Sequence, residues 1–94
     1  MIRRAGDHLC LEGDVGFDTV EALLPTGIAL FDLPEIVIDL SGVQTVDSSA
    51  IALLLAWMRA GRSAGRELRF TAPAAPLIEL ARLYGVTEML GFPA

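Results

Sequence analysis

Residues 36–58 read IVIDLSGVQTVDSSAIALLLAWM, and they hold a strand, a turn and a helix in immediate succession. Ile36, Val37, Ile38 and Leu40 make a nearly continuous apolar run, interrupted only by Asp39. Such a run predicts an interior strand over 36–40, in a sheet covered on both faces. Asp39 lies late in that strand, where a carboxylate accepts turn amides and shapes the Ser41-Gly42 loop. The triplet Asp47-Ser48-Ser49 follows, and residues 50–58 carry no charge. Short polar side chains directly before an apolar helical pattern mark a helix N-terminus. The helix is predicted from about residue 48 to 64, closed by Gly65.

Working outward, residues 2–5 and 8–12 read as a hairpin, because Gly6-Asp7 between them tolerates positive φ. A loop over 13–18 leads to a helix capped by Asp18 or Thr19, with Val20, Leu23, Leu24 and Ile28 on one face. Pro25 requires that this helix either kinks or starts late. Residues 68–71 form a third interior strand. Pro73 and Pro76 introduce a last helix over 76–84, with Gly85 as its stop and an apolar tail over 86–92 that packs back on the fold. The order β-β-α-β-α-β-α predicts an α/β fold: a mixed four-stranded sheet with an N-terminal hairpin and helices on at least one face.

Ninety-four residues form a single domain, 1–94, that hides roughly 60–65% of its unfolded surface. The composition is 53% hydrophobic, and the mean hydropathy is +0.55. So much apolar material on so short a chain predicts exposed apolar surface and a partner that covers it. The net charge is −5, and the basic residues are scattered arginines without a stripe, which argues against nucleic acid. The apolar run over 50–58 is far shorter than the ~20 residues of a membrane span. The N-terminus, Met1-Ile2-Arg3-Arg4, meets Asp7 and His8 with no apolar stretch between, so no secretion signal is read and the expected location is the cytoplasm. Cys10 is the sole cysteine; it shares a strand face with His8, but two ligands alone do not make a metal site.

Helix 48–64 carries the residues of interest. Ile51, Leu54, Leu55 and Met58 recur at i, i+3, i+4 and i+7, which predicts the sheet-facing side. Leu53 and Trp57 lie well round the helix from that stripe. Either they pack against a neighbouring helix, or they form an exposed patch with Trp57 as the anchor of a partner contact. The second reading is favoured here by the overall hydrophobicity. A homodimer through the same apolar face is a further arrangement. Arg59, Arg62 and Arg66 follow as a solvated rim that suits the helix C-terminus.

The segment IDLSGVQTVDSSAIALLL resembles the STAS domain, the fold of bacterial anti-sigma factor antagonists, whose pattern is a strand, a short loop, D-[ST]-[ST]-G and an apolar helix. Within that family the stretches VDSSAIALLLAWMRAGRSAGRELRF and LIELARLYGVTEML, with the short N-terminal hairpin, are most similar to the small STAS subunit of the Mla lipid-transport ABC complex. The resemblance implies a non-enzymatic accessory subunit that binds the ATPase of a phospholipid ABC transporter, with Ser48 matching the hydroxyl of the loop that meets the ATPase; the partner-binding residues are then Asp47, Ser48 and Ser49 of that loop, with Leu53 and Trp57 of the apolar patch. It also implies an alternative: an anti-sigma factor antagonist switched when a serine kinase phosphorylates Ser49, with Ser48 as the neighbouring regulatory hydroxyl. The chain departs from the pattern at Ala50, where the family has glycine. Catalysis is not expected. The single histidine is far from the serines in sequence, and the G-x-S-x-G and glycine-rich phosphate motifs are absent. No cofactor and no metal are expected.

Overall fold

A computed structural model describes residues 1–93. Strands β1 (Ile2–Ala5) and β2 (His8–Val15) form the hairpin, turned by Gly6 at φ +66°. Helix α1 (Val20–Ala29) connects β2 to β3 (Glu35–Val46), and α2 (Ser48–Ser63) connects β3 to β4 (Glu67–Thr71). Helix α3 (Ala75–Leu83) and a short α4 (Thr87–Leu90) complete the chain. The sheet order is β1-β2-β3-β4; the hairpin pair is antiparallel and the other two pairs are parallel. The mixed four-stranded α/β architecture matches the expectation. The tail contains one helical turn that the pattern did not predict, and it packs back through buried Leu90 and Phe92. Phe92 meets Phe70 edge to face at 6.4 Å.

Three differences matter for function. First, β3 is covered on one face, not two. Ile36, Ile38 and Leu40 are buried toward the helices, while Val37 and Asp39 between them are only half-buried. The alternate residues His8, Cys10 and Glu12 of β2 are half-buried in the same way. An apolar run alone does not reveal this, because Val37 reads like its neighbours while pointing to the polar side.

Second, β3 does not stop at Leu40. It runs on to Val46 beside β2, and Ser41-Gly42 is strand rather than loop. Between the Cys10–Asp39 and Glu12–Gly42 pairs, β3 spends three residues against two of β2; the same happens between Gly13–Val43 and Val15–Val46. Such bulges insert an unpaired residue and bend the strand. At the first, Asp39 Oδ1 accepts the Ser41 N–H at 2.8 Å, the contact expected of it, in a bulge rather than a turn.

Third, Thr19 sits at the N-cap position of α1 but its side chain does not cap the helix. Its hydroxyl instead accepts the Gly16 N–H at 3.0 Å and ties the preceding loop. Pro25 lies inside α1 on its exposed side, as does Glu21, whose carbonyl loses the N–H that proline lacks.

Candidate partner-docking site

The site is built on the β3–α2 junction. Asp47 is the α2 N-cap, with extended backbone at φ −131° and ψ −173°. Its Oδ1 accepts the Ser49 backbone N–H at 2.9 Å and also the Ser49 hydroxyl. Its Oδ2 accepts the Phe17 N–H at 3.0 Å, across from the β2–α1 loop. One carboxylate therefore starts the helix and clamps a neighbouring loop on it. Gly16 makes that approach possible, since a Cβ there would stand 2.6 Å from Oδ2. The Ser49 hydroxyl and the Phe17 N–H, both donating to the ionised form, hold the Asp47 carboxyl below the usual carboxylate range. Beside it, Thr45 Oγ1 donates to Asp14 Oδ1 at 2.6 Å. A cavity of about 430 Å³ opens between the two loops, lined by Asp14, Gly16, Phe17, Thr45 and Asp47 among others.

The two serines have different environments. Ser48 is exposed on the first turn of α2, whereas Ser49 is half-buried with its hydroxyl committed to Asp47. Ala50, in the place of the family's glycine, is fully buried, so its methyl fills core.

Leu53 and Trp57 do not form an exposed patch. Leu53 is 3% exposed and Trp57 is 0% exposed. Trp57 lies under α1, where its Nε1 donates to the Leu24 carbonyl at 3.1 Å and its ring meets Phe31 edge to face at 6.4 Å. Gly27 is the reason α1 can come so close: a Cβ there would be 2.5 Å from the indole ring. Packing against a neighbouring helix, the other reading of these residues, is what the fold uses. The buried face of α2 is Ala50, Ile51, Leu53, Leu54, Trp57 and Gly61, while Leu55 and Met58 of the expected sheet-facing stripe are only half-buried. The core-facing sector is thus shifted round the helix toward α1.

The flank that this shift uncovers is apolar. Ser48, Ile51, Ala52 and Leu55 of α2 line a groove of about 260 Å³ with Tyr84 and Val86 beyond α3. Tyr84 is 52% exposed, and Leu83 and Met89 stand out further at 76% and 62%. Across the loop cavity, Phe17 is 72% exposed. The structure therefore joins Asp47, Ser48 and Ser49 to Ala52, Leu55, Tyr84 and Phe17, and removes Leu53 and Trp57 from the surface. Sequence reasoning missed Tyr84 because it continues the Leu77, Leu80 and Ala81 spacing and reads as core. Phe17 carried a signal, an aromatic between Gly16 and Asp18 in a loop.

The description "Mlab, STAS domain" belongs to the protein family whose pattern matches residues 1–91. The chain belongs to the STAS family. Among solved structures, it is similar to the anti-sigma factor antagonist SpoIIAA in its unphosphorylated form, with a TM-score of 0.73 and 15% identity over 94% of this chain and 82% of that one. It is also similar to part of a protein called Mglu, with a TM-score of 0.63 and 23% identity over 80% of this chain and 20% of that one. At such identities the likeness establishes the STAS fold, and this chain spans about a fifth of Mglu. No curated protein sequence matches the chain. Among the described residues, no helix is long and apolar enough to cross a membrane.

Proposed function

We propose that this STAS domain is a non-enzymatic interaction module that binds the cytoplasmic ATPase of an Mla-type phospholipid ABC transporter. The observation that carries the reading is the apolar groove beside the Asp47-Ser48-Ser49 turn, lined by Ile51, Ala52, Leu55, Val86 and half-exposed Tyr84. A surface of this kind suits a rigid protein contact: an aromatic in the lining, small residues that admit a partner side chain, and polar residues at the edge. The family match over residues 1–91 supports the transporter-subunit assignment over other STAS roles. Asp47 acts here as a clamp that presents Ser48 to the partner.

The second reading is a phosphorylation switch at Ser49, supported by the shared fold of SpoIIAA. In this chain the Ser49 hydroxyl is bound by Asp47, so a kinase has to break that bond and set a phosphate beside a carboxylate.

Co-expression with the candidate ATPase, followed by affinity capture, tests the first reading. Wild type is expected to retain the ATPase, and Ala52→Glu and Tyr84→Ala to lose it while keeping the wild-type melting temperature. Capture that survives both substitutions overturns the docking surface; no capture by wild type overturns the partner. Incubation with an anti-sigma serine kinase and ATP, read by intact mass, tests the second: a phosphate on Ser49 with no ATPase capture moves the protein to signalling.

A further inference from the structure

The open face of the sheet carries a polar row that the fold assembles from distant residues. Parallel pairing sets Cys10 of β2 beside Asp39 of β3, and Asp39 beside Thr71 of β4. His8 lies two residues before Cys10 on the same strand and so shares its face. Donor atoms of His8, Cys10 and Asp39 all lie within 4.8 Å of one another, and all three residues are half-buried. His8 and Cys10, which in sequence lack a third ligand, acquire one through the sheet register.

We propose that His8, Cys10 and Asp39 form a binding site for one divalent transition-metal ion of the zinc class, with water in the fourth position. The donor set is an imidazole, a thiolate and a carboxylate, the mixture that borderline cations such as Zn²⁺ and Co²⁺ take in preference to Mg²⁺ or Ca²⁺. Thiolate and carboxylate together balance the two positive charges of the ion. Cys10 binds after its thiol proton passes to solvent. Donors in a tetrahedral zinc site stand about 3.3–3.6 Å apart, so closure asks these half-buried side chains to move by roughly an ångström.

Two neighbours already orient the ligands. Asp7 Oδ1 lies 3.3 Å from His8 Nδ1, which leaves Nε2 as the free ring nitrogen, in the arrangement of a carboxylate–histidine–metal unit. The Ser41 N–H holds Asp39 Oδ1 at 2.8 Å, at the bulge that turns β3 beside the site. A shallow cavity of about 260 Å³, lined by Asp7, His8, Val37, Asp39 and Thr71, gives the ion access from solvent. Two arginines share this face: Arg3, the register partner of Cys10, whose guanidinium is paired with Glu12 at 2.7 Å, and Arg69, the register partner of Val37 on β4. The site is on the sheet face opposite the helices, away from the docking groove on α2, and does not depend on the proposed partner.

Titration of the tag-free protein with Co²⁺, followed by optical absorption, tests the site. Wild type is expected to bind one ion and develop a near-ultraviolet thiolate-to-cobalt band. That band is expected to vanish in Cys10→Ser. Affinity for Zn²⁺, measured by competition with a chromogenic chelator, is expected to fall about tenfold or more in His8→Gln and in Asp39→Asn. No cobalt band in wild type overturns the proposal. So does a band whose affinity is indifferent to both His8→Gln and Asp39→Asn, since it reports a lone thiolate. Far-ultraviolet circular dichroism checks that each variant is folded, and His8→Gln, whose side chain makes no hydrogen bond to the bulge, carries the test if Asp39→Asn does not fold.

Discussion

The two flanks of α2 carry the same kind of residue and meet opposite fates. On one flank Leu53 and Trp57 are sealed beneath α1; on the other Ala52 and Leu55 border an open groove with Tyr84. Hydropathy does not separate them, and tryptophan, the most conspicuous anchor for a partner, lies on the sealed side. What separates them is a glycine on another helix. Gly27 lets the α1 backbone reach the Trp57 ring, whereas Ala52 stays exposed at the edge of an open groove. An apolar helix stripe thus states how much surface must be covered, and the neighbouring helix decides whether the protein itself covers it.

Trp57→Ala strikes the sealed flank hardest. It removes a fully buried indole, its hydrogen bond to Leu24 and its contact with Phe31, and is expected to lower stability by about 3–5 kcal/mol in urea unfolding. ATPase capture by whatever fraction stays folded is expected to persist, because the groove lies on the other flank. Loss of capture by a well-folded Trp57→Ala protein would place the partner contact on the sealed side.

Gly27→Ala sharpens the same contrast. The new methyl has no room beside the indole, and the expected cost is about 1–3 kcal/mol in spite of alanine's better helix propensity. In the Trp57→Ala background the same substitution enters a cavity and is expected to cost much less. An additive double-mutant cycle would show that Gly27 serves some purpose other than this contact.

Asp47 joins the two flanks at their common origin, and its prediction concerns acid. Its carboxyl is held below the usual range in the folded protein, chiefly by the Ser49 hydroxyl and then by the Phe17 N–H. A depressed folded value means that the charged form contributes stability above the unfolded carboxylate range. That contribution is lost as pH falls below about 4 through the folded value. Asp47→Asn is therefore expected to lower the melting temperature at neutral pH and to flatten its decline between about pH 5 and 2. An unchanged acid profile would remove Asp47 from the clamp.

The smallest effects on stability belong to the open flank. Ala52→Glu is expected to change stability by no more than about 0.5 kcal/mol while abolishing ATPase capture. Ser48→Glu is expected to be neutral or slightly stabilising, because an exposed carboxylate in the first turn suits the helix dipole. Ser49→Glu is expected to lower the melting temperature, since it sets a second carboxylate against Asp47. Thermal scans of the pair decide whether the two hydroxyls differ as their exposure says.

Much of the site was legible before the fold. Asp47 as N-cap follows from its place before an apolar helix, and Ser48 and Ser49 follow with it. The helix stops at Gly65 and Gly85, both in positive φ, are equally local. The exposed flank was not legible. Leu55 and Met58 fit the sheet-facing spacing as well as Ala50 and Leu53 do, and periodicity places the centre of an apolar stripe poorly when nearly every position is apolar. The extension of β3 was hidden for a related reason. Ser41, Gly42, Gln44 and Thr45 read as loop, and only pairing with β2 across two bulges holds them as strand.

By itself the sequence determined the succession of strands and helices, the hairpin at Gly6-Asp7 and the helix start at Asp47. Each of these depends on hydrogen bonds and turn geometry among residues close in the chain. Tertiary structure alone decided three things: that α1 covers Trp57, that the sheet keeps one polar face, and that Asp39 stands beside Cys10. Those outcomes depend on which distant backbones approach one another and in what register, and a shift of one residue in either would exchange the buried and exposed faces.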